Sequence, residues 1–226
     1  MTTLSSAELA SHVDAVLCKP AATTGEIETL CAEAREHKFH AVCVNGSRIE
    51  LACTQLEDSG VKLVALIGFP LGAMDGDAKR YETEVAIDHG AQEIEAVLNL
   101  GWLKDGAHTR VLRELRDVVE AADERPVCAV IEATQLTREE ITVACKLVLD
   151  SGAVAVATGT DCWPDAHVSG ADVKLLRETA GPDFILKAAG GIRDAQTALA
   201  LLDAGATRIG TTGAPGFWQF FQSQAG

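Results

Sequence analysis

Short, almost wholly apolar runs alternate along the chain with longer segments whose apolar residues recur at helical spacing. The runs predict strands at Val13–Cys18, Ala41–Asn45, Lys62–Gly68, Glu93–Asn99, Val127–Glu132, Ala153–Thr158, Phe184–Ala188 and Arg208–Gly210. The longer segments predict helices at Thr24–His37, Asp77–His89, Thr109–Ala122, Arg138–Ser151, Asp172–Thr179 and Ala195–Ala204. Strands that are apolar on both faces and alternate with helices are expected to be parallel, joined by crossovers and covered on both sides. Small-residue turns close the helices at Ser59-Gly60, Gly90-Ala91, Gly152-Ala153 and Gly205-Ala206, where glycine suits the left-handed C-terminal position. The reading is an α/β fold: one domain, 1–226, forming a (β/α)₈ TIM barrel, a size usual for that fold. An open doubly wound sheet is the alternative, but no Gly-x-Gly-x-x-Gly follows the first strand.

Composition narrows the function. The net charge of −14 disfavours a nucleic-acid partner, because an acidic surface repels a phosphate backbone. The longest apolar stretches, near Val61–Pro70, Val127–Ile131 and Ala153–Thr158, are far shorter than the ~20 residues of a membrane span, so no membrane partner is expected. The start, Met1-Thr-Thr-Leu-Ser-Ser, has neither the basic flank nor the apolar stretch of a signal peptide. Seven cysteines without a Cys-x-x-Cys pair, several inside apolar runs, imply a reducing, cytoplasmic setting with no disulfide framework. The six histidines lack ligand-like spacing, and no motif calls for a metal or an organic cofactor.

In this fold catalytic groups sit at the C-terminal ends of strands and in the loops beyond them. The polar residues so placed are Asp14, Asn45, Glu95, Asn99, Glu132, Lys187 and Thr211-Thr212. Lys187 stands out, within Phe184-Ile-Leu-Lys-Ala-Ala-Gly-Gly. A buried ammonium either loses its proton more readily or requires a carboxylate partner. The first case gives a Schiff-base nucleophile or general base, the second a structural ion pair with Glu95 or Asp14. Period-two alternation puts Glu93, Glu95 and Val97 on one face. Gly190-Gly191 and Gly210-Thr211-Thr212-Gly213 suit a phosphate cradle of backbone N–H groups and hydroxyls, or tight loop geometry alone.

The residues also resemble a known family. Val13-Asp-Ala-Val-Leu-Cys-Lys-Pro, Val42-Cys-Val-Asn, Ile67-Gly-Phe-Pro-Leu-Gly, Lys79-Arg-Tyr-Glu-Thr-Glu, Gly90-Ala-Gln-Glu-Ile-Glu, Ile131-Glu-Ala-Thr-Gln-Leu-Thr, Lys187-Ala-Ala-Gly-Gly-Ile-Arg and Arg208-Ile-Gly-Thr-Thr look like deoxyribose-phosphate aldolase, in order over nearly the whole chain. The resemblance implies a cofactor-free class I aldolase in which a strand-six lysine forms a Schiff base, a strand-seven lysine lowers its pKa and a strand-four aspartate relays protons. Lys187 takes the place of the strand-seven lysine, Glu95 that of the aspartate, and Asp14 resembles a strand-one aspartate.

The site departs from that pattern. Ala157 stands at the Schiff-base position, Cys128 where strand five usually has lysine, Val16 for a threonine, Ala189 for a serine, and Asp161-Cys162 where the strand-six loop helps hold phosphate. Alanine cannot form a carbinolamine, so ordinary deoxyribose-phosphate cleavage is expected to be weak or absent, and the small side chain is expected to leave room beside Lys187. Three readings remain. Lys187 is a relocated Schiff-base residue of an aldolase-like lyase, with Glu95 and Asp14 as proton relay. The same trio does acid/base work without an imine in an isomerase, cyclase or eliminase. Or the barrel binds without catalysis. The catalytic candidates are thus Lys187, Glu95 and Asp14. The substrate-binding candidates are Asn45, Thr160, Gly190, Gly191, Gly210, Thr211 and Thr212. The expected partner is a small carbonyl compound, phosphorylated or not. Trp163 is placed near the site mouth, and the aromatic segment from Pro215 onward is read as a last helix packed on the barrel, with a homodimer contact as the alternative.

Overall fold

In the computed structural model, which describes residues 4–163 and 167–213, eight parallel strands close into a barrel in sequence order. They are β1 (Val13–Leu17), β2 (Ala41–Asn45), β3 (Lys62–Ile67), β4 (Glu93–Val97), β5 (Val127–Val130), β6 (Ala155–Ala157), β7 (Ile185–Ala189) and β8 (Arg208–Thr211). β8 pairs back onto β1, with Asp14 opposite Gly210. The helices outside are α1 (Ser6–Ala10), α2 (Thr24–His37), α3 (Ile49–Leu56), α4 (Gly76–Asp88), α5 (Leu100–Lys104), α6 (His108–Ala121), α7 (Arg138–Ser151), α8 (Gly170–Ala180) and α9 (Ala195–Asp203). The segment from Pro215 lies outside the described residues. No described helix is long and apolar enough to cross a membrane.

Local chemistry sets the helix starts. α2 and α7 begin where the sequence predicts because Thr23 with Glu26, and Thr137 with Glu140, form reciprocal capping boxes that satisfy first-turn N–H groups. Gly152, at φ 92°, ends α7 in the left-handed conformation that a side chain would disfavour. Two expectations are corrected. Asn99 is not in β4: its Oδ1 accepts the Trp102 N–H at 3.1 Å and caps α5. Glu132 lies beyond β5, at φ 52°.

Alternation divides the strand residues between two apolar environments. Outward residues such as Val42, Val44, Ala65, Ile67, Val156 and Ala188 pack beneath the helices in one continuous core. Inward residues form two smaller clusters, one of Val97, Cys128, Val130, Ala155 and Ala157, the other of Ala41, Cys43, Val64 and Leu66. Phe69 packs against both.

One buried charge pair lies outside the barrel wall. Lys79 of α4 is fully buried, and its Nζ donates to Val97 O at 2.7 Å and pairs with Glu114 Oε1 of α6 at 2.8 Å. The same Oε1 accepts the Asn99 N–H at 3.1 Å. This cluster fixes the exit of β4 against two helices. Gly68 makes room for it, since a Cβ there would fall 2.9 Å from Lys79 Cε. Removing one buried partner leaves the other charge uncompensated, so Lys79→Met is expected to cost about 3–5 kcal/mol of stability, and pairing it with Glu114→Leu to restore much of that loss. Urea unfolding of the two variants beside the parent protein measures both.

Candidate active site

The barrel interior gathers charges from strands that are not neighbours. Lys187 of β7 reaches across to Glu95 Oε2 of β4 at 2.5 Å and Asp14 Oδ2 of β1 at 2.9 Å, with Cys43 Sγ of β2 at 3.5 Å. All are buried, with Lys187 only 2% exposed. Contacts between β7, β4 and β1 run through the barrel's interior, so the three catalytic candidates converge on one point. Those three partners match the three donors of an ammonium. Burial pulls the Lys187 pKa down, but the charges of Asp14 and Glu95 outweigh it and raise it well above the ordinary range, so the amine stays protonated. Asp14, Cys43 and Glu95 also present three metal-ligand-type atoms within 4.8 Å of one another; the positive charge among them is Lys187's own.

Below this cluster Glu93 binds Arg208 of β8, Oε2 to Nη1, at 2.6 Å, and His40 Nε2 approaches its Oε1 at 3.6 Å. Around it the interior is largely apolar, while the mouth above carries Thr160, Thr211 and Thr212. Ala157, paired with Lys187 in the β6–β7 register, is fully buried against Val97, Cys128 and Val130. The room expected beside it is filled. The cavity that reaches Lys187 measures about 10 Å³, the space of about one water, and is lined by Val16, Phe69, Glu95, Thr160, Gly210 and Thr212 among others. Burial pushes the Cys43 and Cys128 thiols well above their usual range, so neither is a ready thiolate.

The substrate-binding candidates divide. Thr160, Gly210, Thr211 and Thr212 line the cavity. Asn45 does not; its Nδ2 donates to Cys18 O at 3.1 Å and ties the ends of β1 and β2 together. The Thr211 hydroxyl is engaged with Ile192 O at 2.6 Å. Of the residues expected to cradle a phosphate, Gly191 and Thr212 donate instead to a side chain of the chain itself. Asp161 Oδ1 accepts the Gly191 N–H at 2.6 Å, while its Oδ2 accepts from Thr212 Oγ1 at 2.9 Å and meets Arg193 Nη1 at 2.6 Å. Trp163 is half-buried and does not line the cavity.

Glu132, noted in the sequence but not placed among the site candidates, sits beside this loop. Its Oε1 accepts the Thr160 N–H at 2.7 Å, its Oε2 is buried with no partner among the described residues, and burial raises its pKa. Cys18 and Cys162 face each other across the mouth with sulfurs 4.0 Å apart, both free.

No family model matches the chain. Curated relatives do. A protein of Bdellovibrio bacteriovorus named deoxyribose-phosphate aldolase is 45% identical over 205 residues, 91% of this chain and 93% of its own. One of Exiguobacterium sibiricum with the same name is 46% identical over 90% of this chain and 92% of its own. Among solved structures, an aldolase titled QR15 superposes with a TM-score of 0.91 at 31% identity, over 96% of this chain and 97% of its own. A tetrameric deoxyribose phosphate aldolase from Aeropyrum pernix gives 0.89 at 29% identity, over 97% and 93%.

The lower charge pair carries a pH prediction. Burial opposes the charge on Glu93, but His40 and Arg208 prevail and hold its pKa at about 2 rather than 4.5. A lowered folded-state pKa contributes stability that is complete above the unfolded value and is lost as pH falls through the folded one. Stability should therefore decline from about pH 4.5 toward about pH 2 by about 2–3 kcal/mol from this group, and Glu93→Gln should flatten that part of the curve. Chemical denaturation at a series of acidic pH values measures the difference.

Proposed function

The chain belongs to the deoxyribose-phosphate aldolase family, and on that footing we propose that it is a lyase that makes or breaks a carbon–carbon bond beside a carbonyl, with Lys187 as the amine that captures the substrate. The observation that carries this reading is the position of Lys187. Among the described residues only two lysines are fully buried; Lys79 is spent on Val97 and Glu114 behind the wall, whereas Lys187 borders the cavity in the barrel. Strand six offers no amine at Ala157, so imine chemistry in this interior falls to strand seven.

Glu95 is the group that makes this workable. As found, Lys187 is an ammonium and no nucleophile. Its proton has a short path to Glu95 Oε2 at 2.5 Å, and that transfer turns an ion pair into a neutral pair, which a low-dielectric interior tolerates. The free amine attacks the carbonyl carbon and the nitrogen's proton passes to the oxygen, giving a carbinolamine. Glu95 then returns its proton to the hydroxyl, which leaves as water, and the C=N⁺ bond remains as the electron sink for cleavage or addition at the adjacent carbon. Asp14, on the same nitrogen from β1 at 2.9 Å, balances the positive imine. Sodium and potassium borohydride both reduce such an imine to a stable amine, so the adduct can be located.

A second reading has its own observation. The carboxylates that hold Lys187 charged oppose an imine and favour acid/base work, with Glu95 taking a proton next to the carbonyl and the ammonium polarising its oxygen.

Borohydride trapping with small aldehydes and ketones, read by peptide mass spectrometry, separates the two. The expected result is an adduct on Lys187 that is absent from Lys187→Ala and that forms faster as pH rises, because only the neutral amine attacks. Glu95→Gln should slow trapping by about 10²–10⁴-fold while the fold persists. Turnover without any adduct on Lys187 would establish the acid/base reading instead.

A further inference from the structure

The loops after β6, β7 and β8 meet at a point that the proposed chemistry does not use. Asp161 stands there at φ 63°, a left-handed conformation that glycine adopts freely and a larger side chain only at some cost. Its carboxylate receives the Gly191 N–H at 2.6 Å, the Thr212 hydroxyl at 2.9 Å and the Arg193 guanidinium at 2.6 Å. A backbone N–H from a glycine-rich turn, a hydroxyl and a guanidinium are together the donor set that recognises an oxyanion. Burial opposes the charge, but Arg193, Gly191 and Thr212 hold the Asp161 pKa below its ordinary value, so the group is an anion at neutral pH. Asp161, Thr212 and Lys187 line the same cavity, so the cradle lies at the mouth of the catalytic cluster.

We propose that the Asp161 carboxylate is a built-in substitute for a substrate anion, and that the substrate of this barrel is accordingly an aldehyde or ketone without a phosphate group. This rests on the reading of the barrel mouth as the active site. A phosphate ester entering the mouth meets donors that are already used and a fixed negative charge in their place, so it is rejected by repulsion and by lost hydrogen bonds together. A neutral or hydroxyl-bearing tail meets neither obstacle. Asp161 thereby sets specificity without touching the reacting carbon.

The test uses inorganic phosphate as the probe, titrated calorimetrically into the full chain and into Asp161→Gly and Asp161→Asn. Glycine suits the backbone angle and empties the cradle, while asparagine keeps the shape and an acceptor but removes the charge. The expected result is no saturable binding by the parent protein and a site in Asp161→Gly at least about tenfold tighter, a difference of about 1.4 kcal/mol, with Asp161→Asn between the two. That site should vanish in the double variant Asp161→Gly with Arg193→Ala. Should the glycine variant fail to fold, the asparagine variant decides alone. The proposal is overturned by a parent protein that binds phosphate as tightly as the folded variants, or by folded variants that gain no affinity. Condensation of acetaldehyde with glyceraldehyde and with its 3-phosphate supplies the substrate arm. The parent should favour the free sugar, and Asp161→Gly should shift the ratio toward the phosphate by about tenfold; an unchanged ratio would overturn the specificity claim. Failure of trapping at Lys187 alongside a phosphate site opened by Asp161→Gly would sink the imine reading and leave the cradle assignment standing.

Discussion

A charge sealed at the centre of a closed barrel must be neutralised by other side chains of the interior, and the ammonium of Lys187 imposes that condition on this fold. Its two carboxylate partners come from β1 and β4, so one side chain ties three separated strands across the interior. Glu93 and Arg208 repeat the device one layer down, between β4 and β8. Such pairs contribute little net stability beyond what an apolar filling would give, but breaking one is costly, so each constrains which side chains its neighbours can carry.

The balance of these charges explains why Lys187 stays protonated. Among the described residues, the barrel interior around Lys187 sets three carboxylates, Asp14, Glu93 and Glu95, against two cations, Lys187 and Arg208. In the family pattern that the sequence resembles, lysines on strands five and six would add positive charge beside Lys187. Here Cys128 and Ala157 stand there, and the apolar side chains of Val97 and Val130 close over the space. With no neighbouring ammonium beside it, Lys187 has both carboxylates to itself, and their charges outweigh burial and raise its pKa. The substitutions at 128 and 157 are therefore felt at 187, and it is the proton path to Glu95, more than the basicity of the amine, that decides whether the site can react.

The barrel was legible in the sequence because its signals are local. Apolar runs marked every strand, and helical spacing placed Thr24–His37 and Arg138–Ser151 to the residue. The crossover helix α3 was missed, since it is only eight residues long and follows a 3₁₀ turn directly. The trio Asp14, Glu95 and Lys187 could be read because a charge inside an apolar run has few explanations. Lys79 could not, for Lys79-Arg-Tyr-Glu-Thr-Glu reads as a solvated helix face, and only the absent side chain at Gly68 shows where the lysine goes. Asp161 was legible as a charge in the wrong place for phosphate, but its partners stand 30 and 51 residues away. No spacing rule links them.

The two altered regions bear on one another. A phosphate group on a substrate is a handle: binding it supplies energy that can be used to orient and desolvate the reacting carbon. A barrel that fills its own cradle with Asp161 gives up that handle and gains loops ordered before any ligand arrives, with Gly191, Arg193 and Thr212 already in place. Orientation must then come from contacts closer to the carbonyl. The lining of the cavity is mixed, with Val16, Phe69 and Ala189 beside Glu95, Thr160 and Thr212. With space for about one water, the cavity must widen to admit even a small carbonyl compound, and for such a substrate the covalent bond to Lys187 would itself be the means of positioning.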